Sequence, residues 1–187
     1  KGGTDSPVTL DSPLSGKLYA PDGSQYVTRR AVNADSSILV LGGGGALSPS
    51  KGTSTERDVE LPGTNVLDAA WSPDGKRVAV LTVNRSDYSG KWGRLNTILF
   101  TPANFDIQIM PTPQAAPGAT ASLNSRVLWS PDGQWLLISG TDALDDGYQI
   151  NLQLIHIATR AVTDLTPALD LTAEAPISIS RIEWSAP

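Results

Sequence analysis

The chain has one histidine, His156, and no cysteine, and these two facts bound most of the chemistry it can do. Without thiols there is no disulfide framework, no thiolate nucleophile and no cysteine zinc site. A Ser-His-Asp triad would have to use His156, and no G-x-S-x-G elbow accompanies it. His156 lies in LQLIHIAT, with Leu152 and Leu154 at strand spacing, which reads as a packed structural position. Asp142, Asp145 and Asp146 in TDALDDGY put three carboxylates within five residues. Oxygen ligands of that kind suit Ca2+, although the spacing is not that of an EF-hand, and the plainer reading is a solvated acidic loop. GGGGALSPSKGTST, from Gly42, follows its lysine with Gly52 where a phosphate loop needs Ser or Thr, and no helix-forming sequence comes after it. The expectation is a non-catalytic chain with no cofactor, Ca2+ being the one metal with any support.

Residues suited to recognition are easier to find. NRSDYSGKWGR carries Tyr88, Lys91, Trp92 and Arg94, and Tyr148 closes the acidic segment. Aromatic and arginine side chains on an accessible loop are the types enriched at interface hot spots. The alternative is that Trp92 folds down as a plug over the core, as large aromatics often do. The net charge of −5 and the scatter of the 14 basic residues argue against a nucleic-acid partner. No apolar run reaches the roughly 20 residues of a membrane span. The first residue is Lys1 and the only methionine is Met110, so a processed mature protein or a piece of a longer one is expected.

A repeat supplies the frame for these residues. AAWSPDGKRVAVL, from Ala69, and RVLWSPDGQWLLIS, from Arg126, share five consecutive residues, and each is followed by an apolar run. Trp71 to Trp129 is 58 residues, and Trp129 to Trp184 in RIEWSAP is 55. A weaker echo, AVNADSSILVL from Ala31, puts Val32 in the tryptophan position. Pro73 and Pro131 preset φ for a turn, Asp74 and Asp132 bond the local backbone, and Gly75 and Gly133 supply positive φ. The runs after each turn are too short for stable helices and read as buried strands. Further strands are expected at residues 96–100, 106–110, 149–157 and 161–165, with a hairpin around Pro21, Asp22, Gly23 and Ser24.

Four short strands per unit, repeated, imply an all-β meander array, most simply a β-propeller. W-S-P-D-G before an apolar strand resembles the repeat of the TolB-like, WD-repeat-like bacterial propellers, and also that of the propeller domains of the prolyl oligopeptidase family. The resemblance implies about three to four four-stranded antiparallel blades in a single domain of residues 1–187. The expected units are 1–30 (partial), 31–66, 67–125, 126–176 and an opening strand at 177–187. Trp71, Trp129 and Trp184 recur at one position and are expected to pack between blades. The chain either closes a small ring on itself or is an arc of a larger ring, completed by further blades, a partner or a second copy. An open arc would leave strand edges exposed.

Strand alternation puts the SPDG, TPAN and ATR turns on one face of such a blade array. Residues 84–94, 112–125, 140–148 and 166–178 then form long loops on the other, and binding concentrates on long loops of rigid scaffolds. The resemblance to TolB-like propellers implies a periplasmic, extracellular or cell-envelope interaction module that binds a protein through this face. Two alternatives stand beside it: an accessory propeller of a larger, prolyl oligopeptidase-like hydrolase, and a carbohydrate- or calcium-binding propeller using Trp92 and the acidic loop.

Overall fold

The structure, a computed structural model, describes residue 14 and residues 16–33, 36–43, 56–63, 65–85, 92–111, 125–144 and 147–168. For residues 85, 92–94, 141–144 and 147–150 it describes the backbone alone. Among the described residues twelve strands form three four-stranded sheets, each ordered as in the chain and antiparallel throughout. The first holds β1 (Leu18–Tyr19), β2 (Gln25–Asn33), β3 (Ser36–Gly43) and β4 (Arg57–Val59). The second holds β5 (Asn65–Trp71), β6 (Val78–Arg85), β7 (Trp92–Thr101) and β8 (Asp106–Met110). The third holds β9 (Arg126–Trp129), β10 (Trp135–Leu144), β11 (Gly147–His156) and β12 (Val162–Asp164). These are three consecutive blades of a propeller, in line with the all-β expectation.

The repeated pentapeptide forms the turn between the first two strands of its sheet. The Gly75 N–H donates to the Ser72 carbonyl at 2.9 Å, and the Ser72 N–H donates to the Arg77 carbonyl at 2.8 Å. The Ser72 hydroxyl donates to Asp74 Oδ1 at 2.7 Å and accepts from the Arg77 N–H at 2.9 Å. The turn at Ser130 repeats this arrangement, with the Trp135 N–H donating to Ser130 Oγ at 2.9 Å. The serine hydroxyls are the main reason that the Asp74 and Asp132 carboxyls are held below the usual carboxylate range. Gly75 and Gly133 sit at φ 68° and 69°, in the left-handed region where a Cβ is penalised.

The first sheet has its counterpart of this turn at Ala20-Pro21-Asp22-Gly23, where Gly23 has φ 70° and its N–H donates to the Ala20 carbonyl. Counted from the prolines, Tyr19 therefore holds the position of Trp71 and Trp129. This corrects the phase expected for the weaker echo. Ala31 and Val32 lie in the last, turn-side residues of β2, which pairs with β3 as far as Asn33↔Ser36, so Val32 is no tryptophan equivalent. It also moves the boundary between the units 1–30 and 31–66, because one sheet joins residues from both. Pairing decided this: β3 lies between β2 and β4, and β4 lies against Leu39, Val40 and Leu41.

The sheets pack face to face, with side chains alternating between the two faces except at the irregularity beside Asp68 in β5. In the second sheet Ala69, Trp71, Val78, Val80, Ile98 and Phe100 meet Val27, Leu39, Leu41 and Val59 of the first. The opposite side, through Leu67, Ala79, Leu81 and Leu99, meets Val127, Trp129, Leu136, Ile138 and Ile155 of the third. A period of two thus divides one sheet between two cores. Each tryptophan also ties its sheet to the previous one. Trp71 Nε1 donates to the Leu18 carbonyl and Trp129 Nε1 to the Ala70 carbonyl, both at 2.9 Å. Leu18 and Ala70 hold the same repeat position, one residue before Tyr19 and Trp71. The Arg77 guanidinium lies over the Trp129 ring, 5.2 Å from its centroid.

Packing and hydrogen bonding at these rungs separate by substitution. Trp129→Ala is expected to cost about 3–5 kcal/mol of stability through the cavity it leaves. Trp129→Phe, which keeps most of the apolar ring and loses the N–H, is expected to cost about 1–2 kcal/mol. Urea denaturation of both variants measures the division, and equal losses would contradict it.

Candidate functional site

The middle strands of the sheets are longer than their outer neighbours, and the excess lies at one end. β10 and β11 have 10 residues each, against 4 in β9 and 3 in β12. Their ladder runs from Trp135↔His156 to Leu144↔Gly147, whereas β9 pairs only from Leu136 to Ser139. Residues beyond Gly140 therefore leave the four-stranded body as a two-stranded arm. β6 and β7 pair as far as Arg85↔Trp92, and β2 and β3 as far as Asn33↔Ser36. All three arms project from the end opposite the SPDG turns.

This revises the expected loops. Residues 84–85 and 92–94, and residues 140–144 and 147–148, belong to hairpin ladders rather than loops, because alternating backbone pairs satisfy one another even where the side-chain pattern weakens. Trp92 opens β7 opposite Arg85, with a register irregularity between Val83 and Arg85, and Arg94 follows in the same strand. Tyr148 pairs with Ala143 and Asp142 with Gln149. Tyr88, Lys91, Asp145 and Asp146 lie outside the described residues, as do Trp184 and the expected strand at 177–187. The fold thus brings Trp92, Arg94, Asp142 and Tyr148 to the same end of two adjacent sheets. The opposite end is compact in the second and third sheets, while in the first the connection from β3 to β4, with the glycine-rich stretch, leaves from it.

The bases of the arms are fastened. The Thr82 hydroxyl donates to the Pro62 carbonyl and accepts from Asn96 Nδ2 at 3.4 Å, tying the connection between the first two sheets to β6 and β7. Gly63, at φ 108°, passes so close that a Cβ there would lie 2.5 Å from Thr82 Oγ1. The Arg30 guanidinium pairs with the Asp58 carboxylate, and Arg29 Nη1 donates to the Val66 carbonyl at 3.5 Å. These contacts make a rigid platform under the hairpin tips.

Acid–base groups are not assembled into a reaction centre among the described residues. His156 is half-buried rather than packed in a core. Its ring meets Trp135 edge-on at 4.5 Å, and its Nδ1 lies 2.8 Å from Thr159 Oγ1 and accepts from the Thr159 N–H at 3.2 Å, which clasps the turn into β12. No group of three His, Asp or Glu side chains suited to a metal occurs among the described residues.

Sequence reasoning missed Asp68. It is 5% exposed, beside a register irregularity in β5, and its Oδ2 accepts the Val127 N–H of the next sheet at 2.9 Å. Burial pushes its pKa up to about 6, outweighing that hydrogen bond and the positive charge of Arg126. Among the described residues Arg126 Nη1 is buried without a hydrogen-bond partner, which adds to the polar strain of this junction. The signal in the sequence was a single charge inside the apolar run VLDAAW.

No family model and no curated protein sequence matches the chain. Among solved structures it matches one described as TolB from Agrobacterium tumefaciens, at 17% identity and TM-score 0.50, covering 79% of this chain and 44% of that one. It also matches TolB from Acinetobacter baumannii, at 16% identity and TM-score 0.49, covering 83% and 33%. A protein described as a 6-phosphogluconolactonase from Bacteroides fragilis matches at 18% identity and TM-score 0.46, covering 84% and 40%. At these identities the likeness is one of fold, and the Agrobacterium structure carries it: the chain has a TolB-like β-propeller fold. It spans less than half the length of each of these structures.

The buried carboxyl implies a pH dependence. Asp68 has a folded pKa of about 6 against an ordinary value of 3.8, so the folded state holds its proton more tightly than the unfolded chain does. Its contribution to stability is therefore greatest below pH ~4 and is lost as pH rises through about 6. Asp68→Asn keeps an acceptor for the Val127 N–H and removes the charge. It is expected to stabilise the protein above pH 6 by on the order of 2 kcal/mol relative to wild type, and to flatten that part of the profile. Chemical denaturation from pH 4 to 8 tests this, and identical profiles for the two proteins would refute it.

Proposed function

We propose that this chain is part of a non-catalytic β-propeller interaction module of an exported bacterial protein, and that it binds a macromolecular partner with the end that carries the hairpin arms. The observation that carries the reading is the projection of the β6–β7 and β10–β11 ladders beyond their four-stranded bodies, with Trp92, Arg94 and Tyr148 placed along them. Two-stranded arms on a fastened platform give a partner a preorganised surface, so little ordering entropy is lost on binding. An aromatic and an arginine near the arm bases are the residue types that dominate interface energetics. The TolB-like fold and the absence of a helix long and apolar enough to cross a membrane among the described residues agree with this reading. The resemblance of the W-S-P-D-G repeat to that of periplasmic propellers supports export.

The propeller's partner is sought by crosslinking the full chain in bacterial envelope extract, and binding of the captured protein is then titrated against variants. Trp92→Ala, Arg94→Ala and Tyr148→Ala are expected to weaken binding, roughly 30-fold for the strongest. Lys76→Ala, in a turn at the opposite end, is expected to leave it unchanged. Loss of binding in Lys76→Ala alone would place the partner on the turn end and defeat the proposal.

A further inference from the structure

β4, β8 and β12 are the fourth strands of their sheets, and each forms one edge. An edge strand offers unpaired backbone groups to any other strand, and short length or charged side chains guard against this. β4 and β12 have both guards: three residues each, with Arg57 and Asp58 in one and Asp164 in the other. β8 is less protected. It runs for five residues, Asp106–Met110, and its one charge stands at its start.

The contrast holds position by position. Ile109 lies opposite Ile98 and, beyond it, Val80. Asp58 lies opposite Val40 and, beyond it, Thr28, while Asp164 lies opposite Gln153 and then Ile138. Val80, Thr28 and Ile138 each come two residues after the one paired with Trp71, Tyr19 or Trp129. Ile109 thus stands where both other sheets have a carboxylate. In the preceding turn Phe105 stands where the third sheet has Arg160, both at φ 58°. Phe105, Ile107 and Ile109 are 38%, 36% and 55% exposed, the closest grouping of exposed large apolar side chains among the described residues. Ile107 and Ile109 share the face of Phe100 and Ile98, towards the first sheet, from which only the Arg57 guanidinium reaches Phe105, 5.2 Å from its ring centroid.

The strand also matches itself when reversed. An antiparallel second copy centred on Gln108 sets Ile107 opposite Ile109 of the second copy, and Asp106 opposite Met110 of the second copy. Apolar then meets apolar, and no like charges lie opposite each other. Pro111, which has no N–H, follows directly and bounds the ladder.

We propose that β8 is a self-association edge, at which a second copy of this chain pairs antiparallel about Gln108 and joins the second sheets of two molecules into one continuous sheet. The two-fold relation keeps the isoleucines of both strands on one face, where they cover one another. The arms of the two molecules point in opposite directions and stay free. This contact lies on the outer edge of a blade and completes no ring. A ladder this short buries less than the roughly 1,200 Å² of a stable interface, so the dissociation constant is expected on the order of 10–100 μM.

The lack of cysteine gives a clean background for the test. The pairing sets Gln108 opposite its own copy, with Cα atoms about 4.5–5.5 Å apart, within reach of a disulfide. Under mild oxidation the full chain carrying Gln108→Cys is expected to give covalent dimer roughly tenfold faster than Thr163→Cys, at the matching position of β12. Sedimentation of the unaltered chain from about 2 to 500 μM is expected to show mass rising from monomer towards dimer. Ile109→Asp, at a half-exposed position the fold tolerates, is expected to weaken that association at least about tenfold. A monomer throughout, equal crosslinking of the two cysteine variants, or unchanged dimerisation of Ile109→Asp would each overturn the proposal.

Discussion

A four-stranded sheet that is apolar on both faces cannot stand alone in water, and the second sheet of this protein is such a sheet. Val78 and Val80 point one way and Ala79 and Leu81 the other, all of them fully buried. Burial of that kind requires a neighbour on each side, since the hydrophobic contribution scales with the area removed from water. The first and third sheets supply the neighbours. Everything else in the fold serves this stacking: turns that keep each meander flat and close, tryptophans that set the register between sheets, and edge strands left to face solvent. β12 shows the last of these, being exposed along its whole length.

Stacking by apolar area alone is permissive, because sheets can slide over one another at little cost. The polar links between sheets remove that freedom. The indole bonds of Trp71 and Trp129 fix one point of contact, and the Val66 N–H to Ser37 Oγ and Val127 N–H to Asp68 Oδ2 bonds fix a second, further along β5 and β9. Directional bonds at two separate points of each junction define both translation and tilt. The second junction uses a carboxylate whose burial is costly, and that cost is the reason for its raised pKa. Position is thereby specified at some expense in stability.

Rigid stacking also supports the arms. A two-stranded ribbon in water is marginal by itself. Here each ribbon grows out of a sheet whose lower half is locked between neighbours, so its first pairs are held before its tip begins. The alternation of strand direction then gathers the tips of neighbouring sheets at one end. Trp92 and Tyr148, far apart in the chain, are thereby placed at the same end of two adjacent sheets.

The turns, the all-β class and the inter-sheet role of Trp71 and Trp129 were legible in the sequence, because proline, aspartate and glycine act on their own backbone within a few residues. The hairpin at Pro21 was legible for the same reason. Its membership in the repeat was not, since Tyr19 replaces the tryptophan and the echo at Ala31 drew attention to the wrong phase. Trp92 and Tyr148 could be singled out by type, yet their segments read as loops, because backbone pairing does not need an alternating side-chain pattern and so need leave no mark in the sequence. Asp68 is a charge in an apolar run, a signal that passed unread, and nothing local could tell that its partner was the Val127 N–H of the next sheet. Local chemistry thus determined the turns and strands from the sequence alone. Which sheet each strand joined, and which end carried the arms, was decided only in the tertiary structure, where pairing depends on residues distant in the chain.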